Sequence, residues 1–187
     1  MTQGLLVLTG PPCAGKSSVG RLLAADASRG REAYLEVDTI FSLLLPRSDR
    51  SRQDRMLGYD AAHALARTLL ANQYTAILEC TYARQEQRAS LREAVPTASS
   101  AALWVVEFVI SPDEAVKRFR RRREATDLDE ASLRERVENF PYWDRALRID
   151  SSSADPRGLA DQVITWLDGQ PPSADWNEWV HAGRSWW

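Results

Sequence analysis

Short apolar runs alternate along the chain with longer stretches in which apolar residues recur every three or four positions. The apolar runs, each short enough for a buried strand, lie at 5–9, 33–37, 74–80, 103–110 and 147–150. The stretches with helical spacing lie at 17–27, 56–70, 85–94, 112–124, 131–140 and 156–167. Because strands that alternate with helices of this length are joined by crossovers, the pattern predicts an α/β fold with a parallel sheet and helices on both faces.

The last part of the chain differs from the rest in composition. Residues 169–187 hold four of the seven tryptophans, which are Trp176, Trp179, Trp186 and Trp187. We expect one domain over residues 1–168, with residues 169–187 packed on it as an extension. The indole rings would then cover the sheet or part of the core. Alternatively, they wall an aromatic acceptor or form a dimer contact.

Composition and charge narrow the class of protein. The chain has 187 residues, of which 44% are hydrophobic, and its net charge of −2 gives no basic field for holding nucleic acid or an anionic membrane. Two cysteines, Cys13 and Cys80, are too few for a disulfide framework, and we interpret them as packing residues, with a redox switch as the alternative. No apolar run approaches the length of about 18 residues that a membrane helix needs. We therefore expect a soluble cytoplasmic protein with no membrane partner, and the oligomeric state is left open.

The first predicted strand is followed by a phosphate-binding motif. Residues 10–17, Gly-Pro-Pro-Cys-Ala-Gly-Lys-Ser, match the pattern G-x-x-x-x-G-K-[S/T] in full. Glycines let the main chain curl around a polyphosphate at a helix N-terminus, the lysine neutralises the β- and γ-phosphates, and the serine hydroxyl can bind Mg²⁺. The motif therefore predicts ATP and Mg²⁺ as cofactors. The predicted ligands are Gly10, Pro11, Pro12, Cys13, Ala14, Gly15, Lys16, Ser17 and Ser18.

With this motif in this context, the chain resembles the P-loop kinases of nucleotides and small molecules over roughly residues 4–168. In particular, it resembles the bacterial branch of zeta-toxin-like, chloramphenicol-phosphotransferase-like and polynucleotide-kinase-like proteins. The resemblance implies the three-layer P-loop NTPase fold with five parallel strands in the order 2-3-1-4-5. It also implies an arginine-rich lid at about residues 118–136.

Two carboxylates follow predicted strands, where open α/β sheets bind their ligands. Asp38 follows the second strand, and the resemblance implies that it contacts the acceptor hydroxyl as a base or orienting group. The alternative is that Asp38 caps the next helix. Glu79 ends the third strand and resembles the acid that holds Mg²⁺ through water, although relatives more often carry aspartate there. The alternative is a strand-end acid paired with an arginine.

Five arginines match the family's pattern around the transferred phosphoryl group. Arg84 and Arg88 resemble the arginines that grip the acceptor. Arg118 and Arg122 are four apart and resemble the entry to the lid, where the first packs near adenine and the second reaches the phosphoryl group. Arg136 resembles the arginine on the helix that closes the lid. The alternative for all five is solvated surface charge.

Together these residues predict an ATP-dependent phosphotransferase. It would move the γ-phosphoryl group to a hydroxyl of a small molecule such as a metabolite, nucleoside or antibiotic. The chain lacks the N-K-x-D segment with which GTPases read their base, and it is short for a transport or AAA-type ATPase. Two alternatives stay open, a non-kinase module that binds or hydrolyses ATP and a polynucleotide 5′-hydroxyl kinase. The nucleic acid would then contact a local cluster of Arg47, Arg50, Arg52 and Arg55.

Overall fold

Five parallel strands form the centre of the molecule. The computed structural model describes residues 4–26, 31–95, 101–121 and 128–185. Its sheet has the order β2-β3-β1-β4-β5, and every described neighbouring pair of strands is parallel. This arrangement confirms the predicted fold class and strand order. The strands are β1 (Gly4–Thr9), β2 (Glu32–Glu36), β3 (Thr75–Glu79), β4 (Ala102–Val109) and β5 (Leu147–Asp150).

Eight helices are described around the sheet. They are α1 (Lys16–Ala25), α2 (Val37–Leu44), α3 (Arg52–Ala71), α4 (Gln85–Ala94), α5 (Pro112–Arg121), α6 (Glu130–Glu138), α7 (Pro156–Asp168) and α8 (Trp176–His181). The N-termini of α3, α6, α7 and α8 are capped by side-chain oxygens of Ser51, Asp129, Asp155 and Asp175. Among these described helices, none is long and apolar enough to cross a membrane.

The sheet is apolar on both faces, which explains the continuous apolar runs of the sequence. On one face, side chains such as Leu6, Leu8 and Phe108 pack with residues of α1, α5, α6 and α7. On the other face, side chains such as Leu5 and Val7 pack with residues of α2, α3, α4 and α8. Helices therefore cover both faces, as the alternation of elements predicts.

All five carboxyl ends lie at one edge of the sheet, here called the carboxyl edge. Leu8 of β1 is paired with Glu79 of β3, and Thr9 of β1 is paired with Glu107 of β4. The loops that follow β1, β2 and β3 consequently lie side by side. The hydroxyl of Thr9 donates to the main-chain oxygen of Thr81 at 2.5 Å, which joins the loop after β1 to the loop after β3.

Residues 171–185, here called the strap, run along the face that carries α3 and α4. The strap starts beside the first residues of β4, where the indole Nε1 of Trp104 donates to the oxygen of Pro171 at 3.2 Å. Trp179 of α8 is fully buried against Tyr82, with ring centroids 5.7 Å apart. At Arg184 the strap forms a parallel bridge with Arg84, which follows β3. The strap therefore crosses the sheet to its carboxyl edge. Trp186 and Trp187 lie outside the described residues.

Candidate active site

The loop at 10–17 curls tightly between β1 and α1. Gly10, Cys13 and Gly15 all have positive φ values, of 143°, 65° and 85°. A Cβ at Gly10 would lie 2.6 Å from the main-chain oxygen of Phe108, so only glycine fits there. Gly15 is the N-cap residue of α1 and offers no side chain to its first amides. Those amides are therefore suited to an anion at the helix N-terminus.

Lys16 is the buried cation of this loop. Its side chain is almost completely covered, and its Nζ donates to the main-chain oxygen of Pro11 at 2.9 Å. The same Nζ lies 3.8 Å from Oε1 of Glu79. The ammonium group is thus held within its own loop, where a phosphate oxygen could replace the carbonyl of Pro11 as its partner.

Glu79 brings the end of β3 to the phosphate-binding loop. Its Oε2 accepts hydrogen bonds from Oγ of Ser17 at 3.0 Å and from the hydroxyl of Tyr34 at 3.2 Å. Burial raises the pKa of the Glu79 carboxyl, and the charge of Lys16 acts against that rise. The two residues predicted to hold Mg²⁺, Ser17 and Glu79, are therefore in direct contact. The alternative partner for Glu79, an arginine, is not what it contacts among the described residues.

Tyr34 is a member of this site that the sequence analysis did not identify. It lies on β2, and its ring fits against Gly20 of α1, where a Cβ would come within 2.4 Å of the ring. Burial and the charge of Glu79 raise the pKa of the Tyr34 hydroxyl, so it stays protonated and can donate. A glycine one helical turn after the motif serine is the only signal of this contact in the sequence.

Asp38 lies in the first turn of α2, with its side chain exposed. The helix starts directly after β2, and its N-cap residue is Glu36, so Asp38 is not the cap that the alternative proposed. Burial raises the pKa values of Glu79 and of the Cys80 thiol, and the charge of Asp38 adds to both rises. The structure thus places an accessible carboxylate at the carboxyl edge, electrostatically coupled to the end of β3.

Arg118 connects the phosphate-binding loop to the turn after β5. Its guanidinium donates to the main-chain oxygen of Cys13 at 3.3 Å and to that of Ser151 at 2.7 Å. It also pairs with Glu114 one turn earlier on α5, at 3.2 Å. A group bound beside the loop on this side would contact Arg118, which is the position that the family resemblance implies for adenine.

Arg88 is not at the site, contrary to the prediction that it grips the acceptor. Its side chain is fully buried beneath the loop after β3. The guanidinium donates to the main-chain oxygens of Tyr82 and Trp179, both at 2.7 Å, and of Pro141 at 3.2 Å. With its donors directed into the core, Arg88 joins three segments of the chain. The alternative of a solvated surface charge is wrong for this residue as well.

The other predicted arginines have different surroundings. Arg84 is the N-cap residue of α4, is half-buried, and donates to the main-chain oxygen of Ser185 at 3.3 Å. Arg136 is exposed in the last turn of α6. Arg122 and the centre of the predicted lid lie outside the described residues. Arg118, Arg84 and Arg136 therefore lie on three separate elements, α5, α4 and α6.

A buried hydrogen-bond chain supports the loop after β3. Oγ of Ser90 donates to Oδ1 of Asp60 at 2.6 Å and lies 2.8 Å from Nδ1 of His63. The serine proton is used by Asp60, so Nδ1 carries the imidazole proton and Nε2 accepts from the hydroxyl of Tyr82 at 3.0 Å. Burial lowers the pKa of His63 to about 3, which keeps the ring neutral. These hydrogen bonds hold the side chain of Tyr82 in place. The φ of Tyr82 is 44°, which is rare for a non-glycine residue.

Three of the four arginines considered for nucleic acid make contacts within the protein, namely Arg50, Arg52 and Arg55. The guanidinium of Arg50 lies over the ring of Phe41, 5.3 Å from its centroid. Arg52 pairs with Glu86 of α4, and Nε of Arg55 donates to the main-chain oxygen of Arg50 at 2.7 Å. These contacts stabilise the α2–α3 turn and the packing of α3 near α4.

A known family matches the part of the chain that contains the phosphate-binding loop, Asp38 and Glu79. The sequence matches the family model AAA_33, described as "AAA domain", over residues 5–141, from β1 to just beyond α6. The chain belongs to this AAA-domain family. The sequence analysis set AAA-type ATPases aside because of their size, whereas the description of the matching family is an AAA domain. No curated protein sequence matches this AAA-domain chain significantly.

Solved structures with the same fold include several small kinases. An unliganded sugar kinase from Janibacter sp. HTCC2649 has a TM-score of 0.67 at 16% identity, covering 89% of this chain and 95% of the other. The Mycobacterium tuberculosis APS kinase in complex with AMPPNP and APS has a TM-score of 0.66 at 22% identity, covering 90% and 99%. Shikimate kinase from Acinetobacter baumannii, in complex with shikimate, has a TM-score of 0.60 at 20% identity, covering 90% and 95%. At these identities, the likeness shows the fold.

Proposed function

We propose that this AAA-domain protein is an ATP-dependent kinase that phosphorylates a hydroxyl group of a small molecule. The observation that carries the proposal is the contact of Lys16 and Ser17 with the buried carboxylate of Glu79 at the carboxyl edge. Asp38 lies at the same edge with its carboxylate exposed. The proposed phosphate site and the proposed base thus lie at the same edge of the sheet, which supports direct phosphoryl transfer.

The residues of this edge fit ATP and Mg²⁺. The main chain of residues 10–18 and the ammonium group of Lys16 would hold the phosphates, and Arg118 would lie beside the adenine ring. Ser17 would bind Mg²⁺ directly and Glu79 through water, which suits a hydroxyl and a carboxylate already in contact. When bound, Mg²⁺ neutralises charge on the phosphate oxygens.

Asp38 is the proposed base or orienting group for the acceptor. The acceptor oxygen forms its bond to the γ-phosphorus as the bond to the bridging oxygen breaks, ADP leaves, and the hydroxyl proton passes to Asp38. Glu79 already accepts two hydrogen bonds and lies against Lys16, which leaves the exposed carboxylate as the better proton acceptor. Arg122 and Arg136 would stabilise the transferred group, and Arg84 would contact the acceptor.

The test is a γ-phosphate transfer screen over nucleosides, oligonucleotides, sugars and antibiotics, together with calorimetry of Mg·ATP binding. Lys16→Ala should reduce transfer at least about 100-fold, because the phosphates lose their buried cation. Lys117→Ala is the matched control: Lys117 is the other lysine of the chain, is exposed, and should have little effect. Asp38→Asn should lower kcat by a factor of about 10² to 10⁴ and leave ATP binding intact.

Three results would contradict this proposal. Failure of the wild-type protein to bind Mg·ATP would remove the nucleotide site altogether. ADP release that stays the same with every acceptor would identify an ATP-hydrolysing module instead. Transfer to oligonucleotide ends in preference to every small molecule would identify the polynucleotide kinase alternative.

A further inference from the structure

The buried guanidinium of Arg88 ties together three segments, and each of them holds another arginine within five residues of its contact with Arg88. Its three acceptors belong to Tyr82 in the loop after β3, Pro141 after α6, and Trp179 in the strap. Arg84 lies two residues after the first acceptor, Arg136 five residues before the second, and Arg184 five residues after the third. The fold thereby brings three arginines from distant parts of the chain to one region.

The main chain fixes where Arg184 lies. Its N–H donates to the oxygen of Ala83 at 2.9 Å, and its oxygen accepts from the N–H of Gln85 at 2.9 Å, so the strap pairs with the loop on both sides of Arg84. A Cβ at Gly183 would lie 2.8 Å from the nitrogen of Gln85, so glycine permits this close approach. Because these two bonds use main-chain atoms, they do not depend on which side chain position 184 carries.

The charges of the three arginines act on one another. The pKa of Arg84 is lowered by burial and then by the positive charges of Arg184 and Arg136. The neighbouring acid Glu86 opposes this effect, but it is paired with Arg52. Holding cations close together at a protein surface costs free energy because they repel one another. An oxyanion that binds between them offsets this repulsion.

Arg84, Arg136 and Arg184, here called the cluster, lie on the acceptor side of the proposed site. Arg118, beside the phosphate-binding loop, contacts Ser151 after β5 at the other end of the sheet order. Arg84 instead follows β3, which lies between β2, the strand that precedes Asp38, and β1, the strand that precedes the phosphate-binding loop. The charge of Asp38 acts on Cys80, four residues before Arg84 on the same loop. An anion bound by the cluster would therefore lie near the proposed acceptor base.

We propose that Arg84, Arg136 and Arg184 bind an oxyanion group of the acceptor, so that the substrate is an anionic hydroxyl compound bearing a phosphate, sulfate or carboxylate. This inference rests on the proposed kinase function. Within it, Arg184 determines specificity: the strap supplies the charge that separates anionic from neutral acceptors. Because Arg136 is also proposed to stabilise the transferred group, the test uses Arg184.

The test compares acceptors in matched pairs that differ by one anionic group, namely ribose with ribose 5-phosphate, glucose with gluconate, and adenosine with adenosine 5′-sulfate. We expect transfer to the anionic member of at least one pair. Arg184→Gln should raise KM for that acceptor about tenfold or more, because a charge-assisted contact is lost. Its kcat and its KM for ATP should stay within about twofold of the wild-type values, which a disturbed site would not allow.

Arg145→Gln is the matched control. Arg145 is an exposed arginine that also contacts the strap, through an ion pair with Glu178 at 2.8 Å, but it does not belong to the cluster. If Arg184 only held the strap in place, both variants would lower the melting temperature and impair neutral acceptors as well. A KM effect confined to Arg184→Gln and to anionic acceptors would support the inference.

Two outcomes would overturn the inference. One is a preference for the neutral member of every pair. The other is a KM for the anionic acceptor that stays within twofold of the wild-type value in Arg184→Gln. If Mg·ATP binds but no acceptor is phosphorylated, the kinase proposal fails, and calorimetry with inorganic sulfate then tests the cluster separately. With the phosphate-binding loop filled by Mg·AMPPNP, sulfate binding that Arg184→Gln abolishes would support the cluster. Equal or absent binding in both proteins would refute it.

Discussion

Replacing Arg88 with methionine should destabilise the whole domain. Methionine is unbranched and can follow the same path through the core, but it has no donors for the three main-chain oxygens that Arg88 satisfies. The variant therefore removes a buried polar hub while creating little empty space. The family resemblance placed Arg88 at the acceptor, so this variant also distinguishes an acceptor-binding role from a structural role in the core.

The size of the effect follows from the acceptors left without a partner. A buried polar group that loses its hydrogen bond costs about 1–3 kcal/mol. Burial lowers the pKa of Arg88 to about 10, which shows that its charge is penalised in the core, and removing the charge offsets part of the loss. We therefore take the lower bound for each acceptor and expect a loss of about 3 kcal/mol in the free energy of unfolding. In a domain of this size, that loss lowers the melting temperature by about 6–12 °C.

Urea and thermal unfolding of the wild type, Arg88→Met and Arg92→Met measure this loss. Arg92 lies on the same helix with its side chain exposed, so its replacement should change the free energy of unfolding by no more than about 0.5 kcal/mol. If Arg88→Met unfolds like the wild type but has a raised KM for the acceptor, the structural assignment is refuted. Arg88 would then bind the acceptor, as the family resemblance implies.

Three further variants test other contacts. Burial raises the pKa of Glu107 to about 7, so the folded protein binds more protons than the unfolded chain between about pH 4.5 and 7. Its stability should fall as the pH rises through that range, and a pH series of urea unfolding should show a smaller fall for Glu107→Gln. Gly183→Ala should cost about 1–3 kcal/mol in urea unfolding, because its Cβ would meet the main chain of Gln85. Tyr34→Phe removes a donor to charged Glu79, so the acid limit of Mg·ATP binding, followed by calorimetry, should move to higher pH.

The fold was predictable because its signals are local. The three central strands, β1, β3 and β4, are apolar runs buried on both faces, and the phosphate-binding motif fixes where β1 ends and α1 begins. The stretch at 39–55 gave no clear pattern, and there the structure differs from expectation. Helix α2 starts at Val37 with no loop after β2, and α3 starts at Arg52 rather than at Met56. A helix that follows a strand without an intervening polar turn leaves no mark in the sequence.

The site was predictable only where one segment determines it. Lys16 and Ser17 follow from the motif itself. The burial of Arg88 depends on Pro141 and Trp179, which are 53 and 91 residues away, and helical spacing does not reveal such partners. Arg184 was missed for the same reason, because its position depends on a main-chain pairing of the strap with the loop after β3.

The joining of distant segments by Arg88 has a consequence for local opening of the native state. Protein segments that share a buried anchor open together, and their amide hydrogens then exchange with solvent at a common free energy. The N–H groups of Arg184 and Gln85, both in main-chain bonds between the strap and the loop, should therefore exchange with deuterium at similar rates. In Arg88→Met, both should exchange sooner than the amides of β1, so the strap and the loop would become a separate cooperative unit.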